Sequence, residues 1–270
     1  MDKAHIFVDN KLKEYEKELK KIYAKTLKEI EKEIINNSDK MNGGDMKNVR
    51  QSIKRLNDLF KRITIELNNA DLKAVTLLEK ELKGVGITNL EFAEELINSK
   101  IKKLGIDETY TLFNDKILKN IVEGNVFTEL AIDGFTDKTH IYKELRREFA
   151  TGLLKGESIP KLAQRIKKIT KSNMDRAILI ARTENTRVQN ESREEIFKKA
   201  EEQGIKLKKQ WVSAGDRRVR SSHKRLDGEI VNMKESFSNN CEYPGDPNGG
   251  ASEVCNCRCT FVALIEGVDY

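Results

Sequence analysis

The stretch 201–216, "EEQGIKLKKQWVSAGD", is where the chain changes architecture. Upstream of Gly204, apolar and charged residues recur at helical spacing, and the glycine supplies a helix stop. Downstream, "KLKKQWVSA" (206–214) reads as a strand with Leu207 and the sole tryptophan, Trp211, pointing inward. Two more short strands follow, "GEIVNM" (228–233) and "CRCTFVALIEG" (257–267). The last is a near-continuous apolar run, which predicts burial on both faces. Working back from 201, the sequence is helical throughout. The predicted fold class is therefore α+β: a mostly α-helical N-terminal region, 1–157, followed by a small C-terminal α+β domain, 158–270.

The first predicted helix covers 3–36, with Val8, Leu12, Tyr15, Leu19, Ile22, Tyr23, Leu27, Ile30 and Ile34 on one stripe. Lysines and glutamates four apart support its other faces. A helix this long with one apolar side needs a partner, either the next helix in a hairpin or another chain. The hairpin is the simpler reading. Gly43 and Gly44 break the pattern. A second helix is predicted over 46–68. A third starts at Asn69 and stops near Gly84 and Gly86. A fourth opens at Thr88, with Glu91 completing a capping box, and closes at Gly105. Further helices are predicted over 108–122, 126–131 and 138–155. Ser158 caps a short one with Pro160 in its first turn, and a long one runs from Ser172 or Asn173 to Gly204. No repeat period is present.

Apolar residues make up 38% of the 270 residues and charged residues 35%, a composition suited to long solvated helices. The 50 Lys and Arg against 44 Asp and Glu leave a formal charge of +6, mixed along the chain. That balance permits weak, salt-sensitive contact with DNA without demanding it. No basic-then-apolar leader opens the chain, and no apolar run approaches the ~20 residues needed to span a bilayer. The expectation is an intracellular protein with no membrane partner, whose four cysteines stay reduced.

Three stretches carry candidate chemistry. In "ARTENTRVQNESREE" (181–195), Arg182, Glu184, Asn185, Arg187 and Asn190 crowd two helical turns, and Glu184 can pair with Arg187 three residues on. The simplest reading is a charged helix, and the alternative is a buried polar network. In "WVSAGDRRVRSSHKRLDGE" (211–229), Gly215 and Asp216 mark a turn, His223 lies in a loop, and Asp227 with Gly228 forms a hairpin-like turn. "NNCEYPGDPNGGASEVCNCRC" (239–259) is a dense loop signal leading into alternating cysteines. On a strand, Cys255, Cys257 and Cys259 would share a face about 6–7 Å apart per step, poor spacing for a zinc knuckle. Cys241, His223 and one or two of these thiols could still meet around a metal. Inert buried thiols are the simplest reading, and a redox or nucleophilic role is the remaining one.

Taken in order, "ARTE" (181–184), the tryptophan of "KQWVSAGDRRVRSSHKRLDG" (209–228), "YPGDPNGGASEV" (243–254) and "NCRC" (256–259) resemble the phage Mu F-like minor head proteins. This is also called the SPP1 gp7-type head morphogenesis family. The likeness covers roughly the last 110 residues, and the N-terminal helices carry no motif of it. It implies a minor virion component in the head interior, near the portal protein, made in the host cytoplasm before assembly. Roles in head assembly, in association with double-stranded DNA and in its ejection come with it. The motif positions here are Arg182, Thr183, Glu184, Trp211, Asp216, Arg218, His223, Leu226, Asp227 and Gly228, then 244–247, then Asn256, Cys257, Arg258 and Cys259. Some relatives carry a C-x-x-C before the "LDG"; here Arg220 and His223 stand at those positions. The resemblance thus leaves His223, Cys257 and Cys259 as the candidate metal set, zinc being the ion, with Cys241 and Cys255 outside the motif. No catalytic residue is expected. The competing reading is an enzymatic, toxin-like or ADP-ribosyltransferase-like C-terminal domain, and a third is an adaptor acting through the first helix. Against the second, no Glu-x-Glu or Gln-x-Glu falls on a late strand.

Overall fold

A computed structural model gives the structure and describes residues 2–38, 49–106, 109–123, 143–145, 147–148, 151 and 159–267. Helix α1 spans Lys3–Ser38. Its buried positions include Ala4, Val8, Tyr15, Leu19, Tyr23, Thr26 and Ile30, steps of three, four and seven that keep one stripe inward. The predicted break at Gly43 and Gly44 lies outside the described residues, as do the helix predicted over 126–131 and part of that over 138–155.

The second, third and fourth predicted helices are one element, α2, spanning Val49–Lys103. Gly84 and Gly86 do not stop it. A Cβ on Gly86 would lie 2.6 Å from Leu118 Cδ1, so this glycine admits a neighbouring side chain. Helical glycine costs only about 1 kcal/mol, which packing along so long a helix outweighs. Thr88 and Glu91 accordingly sit mid-helix and cap nothing. The predicted stop at Gly105 does hold: Ile106 N–H reaches the Ile101 carbonyl at 3.3 Å, and Gly105 N–H that of Lys102 at 3.1 Å.

The helix predicted over 108–122 is shorter: α3 spans Asp115–Glu123. Asn114 Oδ1 caps it by accepting from Ile117 N–H at 3.0 Å. The preceding loop is tied to α2 instead, with Glu94 accepting from the N–H groups of Leu112 and Phe113 at 2.6 and 2.7 Å. Likewise, the two helices predicted between 158 and 203 are one, α4, Ile159–Glu202. Ser172 and Asn173 start nothing, because no glycine or proline interrupts the turn around them. At its end Gly204 takes φ +94, with Ile205 N–H on the Ala200 carbonyl at 3.1 Å. This paired closure is open to glycine because the left-handed conformation crowds a Cβ.

Strand β1, Leu207–Val212, follows at once. A short helix α5, Ser221–Leu226, then occupies the stretch expected to be a loop. Strand β2 is Ile230–Asn232, a 3₁₀ turn covers Pro247–Gly249, helix α6 is Ala251–Val254, and strand β3 is Thr260–Ile265. The sheet order is β2-β1-β3, all antiparallel, with Trp211 opposite Phe261 and Lys209 opposite Val231 and Ala263. β3 begins only at Thr260, and from Phe261 it alternates buried with half-buried residues. The apolar run therefore covers one face fully and the other in part, as suits an edge strand with one helical layer behind it.

By packing, the described chain forms two units, each discontinuous in sequence. One comprises residues 16–77 and 131–178. Its core gathers Ile30 of α1, Leu59, Phe60, Ile63 and Leu67 of α2, Leu145, and Ile166 and Ile169 of α4. Within it α1 and α2 run antiparallel: Tyr23 bonds Asp71, and Glu33 pairs with Arg62 at 3.3 Å. The apolar stripe of α1 is thus covered by its own chain, as in the hairpin reading and not in the docking-arm one. The other unit comprises residues 1–15, 78–130 and 179–270 and holds the sheet with every motif residue. The expected boundary between 157 and 158 falls at residues outside those described.

Candidate functional site

The second half of α4 organises the C-terminal unit. Residues 183–190 are all buried, as are Ser192, Arg193 and Glu194, although they are mostly polar. The charged-helix reading of 181–195 is therefore replaced by its alternative, a buried polar network. Burying such groups is tolerable only when they are bonded. Arg187 donates to Glu184 Oε2 through Nε at 3.0 Å and Nη2 at 2.9 Å, and its Nη1 reaches Glu191 and the Ile121 carbonyl. Burial pushes the Glu184 carboxyl up, and the Arg187 charge offsets part of that. Arg193 donates to both carboxylate oxygens of Asp2 at 2.9 Å, to Asn89 at 2.9 Å, and to the Thr260 hydroxyl at 3.0 Å.

One face of this helix grips the cysteine loop. Thr183, Thr186 and Asn190 stand three and four apart, hence on one side. Thr183 Oγ1 accepts from Asn256 N–H at 3.2 Å, and Thr186 Oγ1 donates to the Cys257 carbonyl at 2.5 Å. Asn190 Nδ2 donates to the carbonyls of Cys259 at 3.1 Å and Pro244 at 2.8 Å. The loop rides close: Gly245 has φ +91, and a Cβ there would lie 3.1 Å from Arg187 N. The "ARTENT" stretch of α4 and the "NCRC" loop are thus bonded to one another. Each presents what the other needs.

The cysteine loop is not strand. Helix α6 ends at Val254, Cys257 N–H bonds the Val254 carbonyl at 3.1 Å, and Asn256 adopts φ +56. The expected common face for Cys255, Cys257 and Cys259 is corrected accordingly: Cys255 is half-exposed, and the other two turn inward. Arg258 between them points outward and forms a bidentate pair with Asp216, at 2.7 and 2.6 Å. That guanidinium, with the N–H and charge of Arg218, holds the Asp216 carboxyl well below the usual range.

Cys257 and Cys259 face His223. His223 Nδ1 lies 3.6 Å from Cys257 Sγ and 3.4 Å from Cys259 Sγ. All three are buried, at 1%, 2% and 3% exposure, and their donor atoms lie within 4.8 Å of one another. Hydrogen bonding from Cys257, with help from His223 and the Ala214 N–H, brings the Cys259 thiol down to about 5. The same interaction and burial hold Cys257 well above its ordinary value. The other ring nitrogen of His223, Nε2, contacts Glu253 Oε2 at 2.8 Å, and Asn239 Nδ2 donates to that same oxygen at 3.1 Å. Burial pushes the Glu253 carboxyl up, but these bonds outweigh it and leave it below its ordinary value. Trp211 packs edge-on between His223 and Phe237, with ring centroids at 5.1 and 5.0 Å.

The residues singled out in the sequence thus fall into groups. His223, Cys257, Cys259 and Trp211 converge. Asp216 and Arg258 pair beside them. Asp227 Oδ1 accepts from Ser213 N–H at 2.7 Å, and Gly228 N–H bonds the Trp211 carbonyl at 2.9 Å, closing the turn onto β1. Glu184 lies apart in the network with Arg187, and Arg182 is half-buried on α4. Cys241 is buried but outside the histidine cluster, with burial pushing its thiol up to about 12. The sequence reading missed Thr186, Gln189, Arg193 and Glu253. For Thr186 the usable signal is its spacing from Thr183 and Asn190. Glu253 lies in the four-residue helix α6, and no local pattern marks it.

Residues 143–262 match the family described as Phage Mu protein F like protein. The match begins before the predicted domain start and stops within β3. Among curated proteins, the chain is 28% identical over 275 positions to the "Minor head protein GP7" of Bacillus phage SPP1, covering 97% of this chain and 85% of that one. The likeness therefore extends through the N-terminal helices, which carried no recognisable motif. The chain is also 31% identical over 160 residues to the "NAD(+)--arginine ADP-ribosyltransferase EFV" of Enterococcus faecalis, covering 58% of this chain and 33% of that protein. Over 118 residues it is 27% identical to "Uncharacterized protein YqbB" of Bacillus subtilis, covering 41% of this chain and 38% of that one. No solved structure matches.

Proposed function

We propose that the chain is a phage minor head protein acting in head morphogenesis, a virion component rather than an enzyme. The near end-to-end alignment with a minor head protein carries this reading. The geometry supports it, because the motif residues bond to the chain itself: Glu184 to Arg187, Asp216 to Arg258, His223 to Glu253. They hold the domain's loops in place. In this reading the protein is made in the host cytoplasm, docks at the portal protein, enters the head interior, and touches the packaged DNA through phosphates. Among the described residues no helix is long and apolar enough to cross a membrane.

Co-expression with the portal protein of the same phage, purified on a portal-borne tag, tests the docking. Retention of this chain supports it, and loss with both proteins folded overturns it. DNA binding is read by gel shift at rising salt. A non-specific phosphate contact weakens linearly in log–log form, by about 0.9 per phosphate neutralised. A shift indifferent to salt would contradict it.

The likeness to an arginine ADP-ribosyltransferase favours a second reading, an enzymatic C-terminal domain. Since that alignment takes in a third of the transferase, it is the weaker of the two. Transfer of labelled ADP-ribose from NAD to an arginine-bearing protein by the purified chain would establish it.

A further inference from the structure

We propose that His223, Cys257 and Cys259 form a binding site for a thiophilic divalent cation, Zn²⁺ in the first instance, with Glu253 as the group that orients the histidine. Three donor atoms converge on one point: His223 Nδ1 and the two Sγ atoms, all within 4.8 Å of one another. In a tetrahedral site with Zn–N about 2.0 Å and Zn–S about 2.3 Å, adjacent N and S donors stand about 3.6 Å apart. The observed separations are 3.6 and 3.4 Å. One imidazole nitrogen has a single lone pair or a single proton, so two sulfurs at equal range exceed what one hydrogen bond can satisfy. A cation between them satisfies all three.

The second observation lies on the far side of the ring. Nε2 meets Glu253 Oε2 at 2.8 Å, and that carboxylate is itself held by Asn239 and contacted by Ser222 Oγ at 3.4 Å. A carboxylate behind a histidine fixes the ring and leaves Nδ1 free to ligate, the usual outer support of a zinc-bound histidine. Trp211 walls the ring, Arg258 is drawn away by Asp216, and the Cys257 carbonyl is fixed by Thr186. Among the described residues the donor group comprises these three side chains, and a tetrahedral ion takes its fourth ligand from outside this group. Two thiolates and an imidazole suit zinc over magnesium or calcium. Binding places both sulfurs on the ion as thiolates, releasing to solvent any proton they carry, and ties the "NCRC" loop to α5, in effect a staple between two short elements of a small domain.

The full-length protein is purified with Zn²⁺ present, and the metal retained after gel filtration is counted by mass spectrometry. A second sample is reconstituted with Co²⁺ and read by absorption. The expected result is one zinc per chain, and for cobalt a thiolate charge-transfer band with the intense visible bands of a tetrahedral site. Cys257→Ser and Cys259→Ser abolish the charge-transfer signature, while Cys241→Ser and Cys255→Ser leave it intact. Glu253→Gln retains the spectrum but weakens Zn²⁺ affinity about 10–100-fold, which separates orientation from ligation. Wild-type protein that is folded by circular dichroism yet gives no cobalt bands and little zinc overturns the site, as does a Cys257–Cys259 disulfide under reducing purification. The wild-type spectrum decides even if the serine variants fail to fold.

Discussion

Asn256 shows how much a single backbone angle decides. It has φ +56, its N–H is held by Thr183, and the next residue turns inward toward His223. Asparagine tolerates this left-handed conformation better than other side chains, and a β-branched residue is a genuine outlier there. Asn256→Gly is therefore expected to leave stability within a few tenths of a kcal/mol, while Asn256→Val costs about 1–2 kcal/mol. Urea denaturation of the three proteins checks this; equal midpoints would mean the turn relaxes without cost. In the sequence Asn256 stood out only as a motif position. Alternating cysteines looked like a strand, because residue types carry period but not the sign of φ. Trp211 and His223 were legible as individuals, whereas their contact across 12 positions of chain was not.

At the scale of elements, α4 and β1 meet through a buried ion pair. Lys209 projects inward between Leu207 and Trp211, and its Nζ lies 3.1 Å from Glu194 Oε1, both side chains being shut off from water. Burial pushes the Glu194 carboxyl up, and Lys209 and then Lys198 offset part of that. Removing one partner strands the other: Lys209→Ala is expected to cost about 3–5 kcal/mol. The double replacement Lys209→Met with Glu194→Leu is expected to be near neutral or stabilising, since an apolar pair of similar volume escapes the desolvation cost. Thermal denaturation of single and double variants decides it. A single variant as stable as the parent would show that the pair is solvated. The alternation of β1 was readable from Leu207 and Trp211, but a lysine at the intervening inward position reads as solvent-facing until a helix with a glutamate covers it. The polar run of α4 shows the same limit. Its spacing announces a helix, and only the loops packed around it make it an interior one.

Across the whole molecule, stability should depend on pH through Asp71. This carboxyl is buried between helices with Tyr23 OH donating to it at 2.5 Å, and burial lifts it from 3.8 to about 6, against the Tyr23 bond and the Arg176 charge. Above its ordinary value the unfolded chain has released this proton while the folded protein still holds it. Its contribution to stability therefore falls as pH rises from about 4 to about 6, by about 3 kcal/mol in all, and stays low above that. Asp71→Asn keeps the Tyr23 bond and cannot ionise. The variant is expected to gain on the parent as pH rises from 4 to 7, read from denaturation midpoints at both ends. A constant difference would mean Asp71 titrates as though solvated.

By itself the sequence determined the α+β class, the three strands, the ends of the helices at Gly105 and Gly204, and the family resemblance of the C-terminal part. All of these rest on local periodicity, on glycine's backbone freedom, or on residues lying in a fixed order. Tertiary structure alone decided the rest. It ran 49–103 through as a single helix, because packing outweighs the small cost of its mid-helix glycines, and it ran 159–202 through because no residue there breaks the helix. It divided the chain into two units that each take several separate stretches of sequence, because long helices bury different parts of their length against different neighbours. It also brought His223, Cys257 and Cys259 to one point, with Glu253 behind the ring. Convergence of side chains more than 30 residues apart depends on where the intervening turns aim them, and no local spacing records that direction.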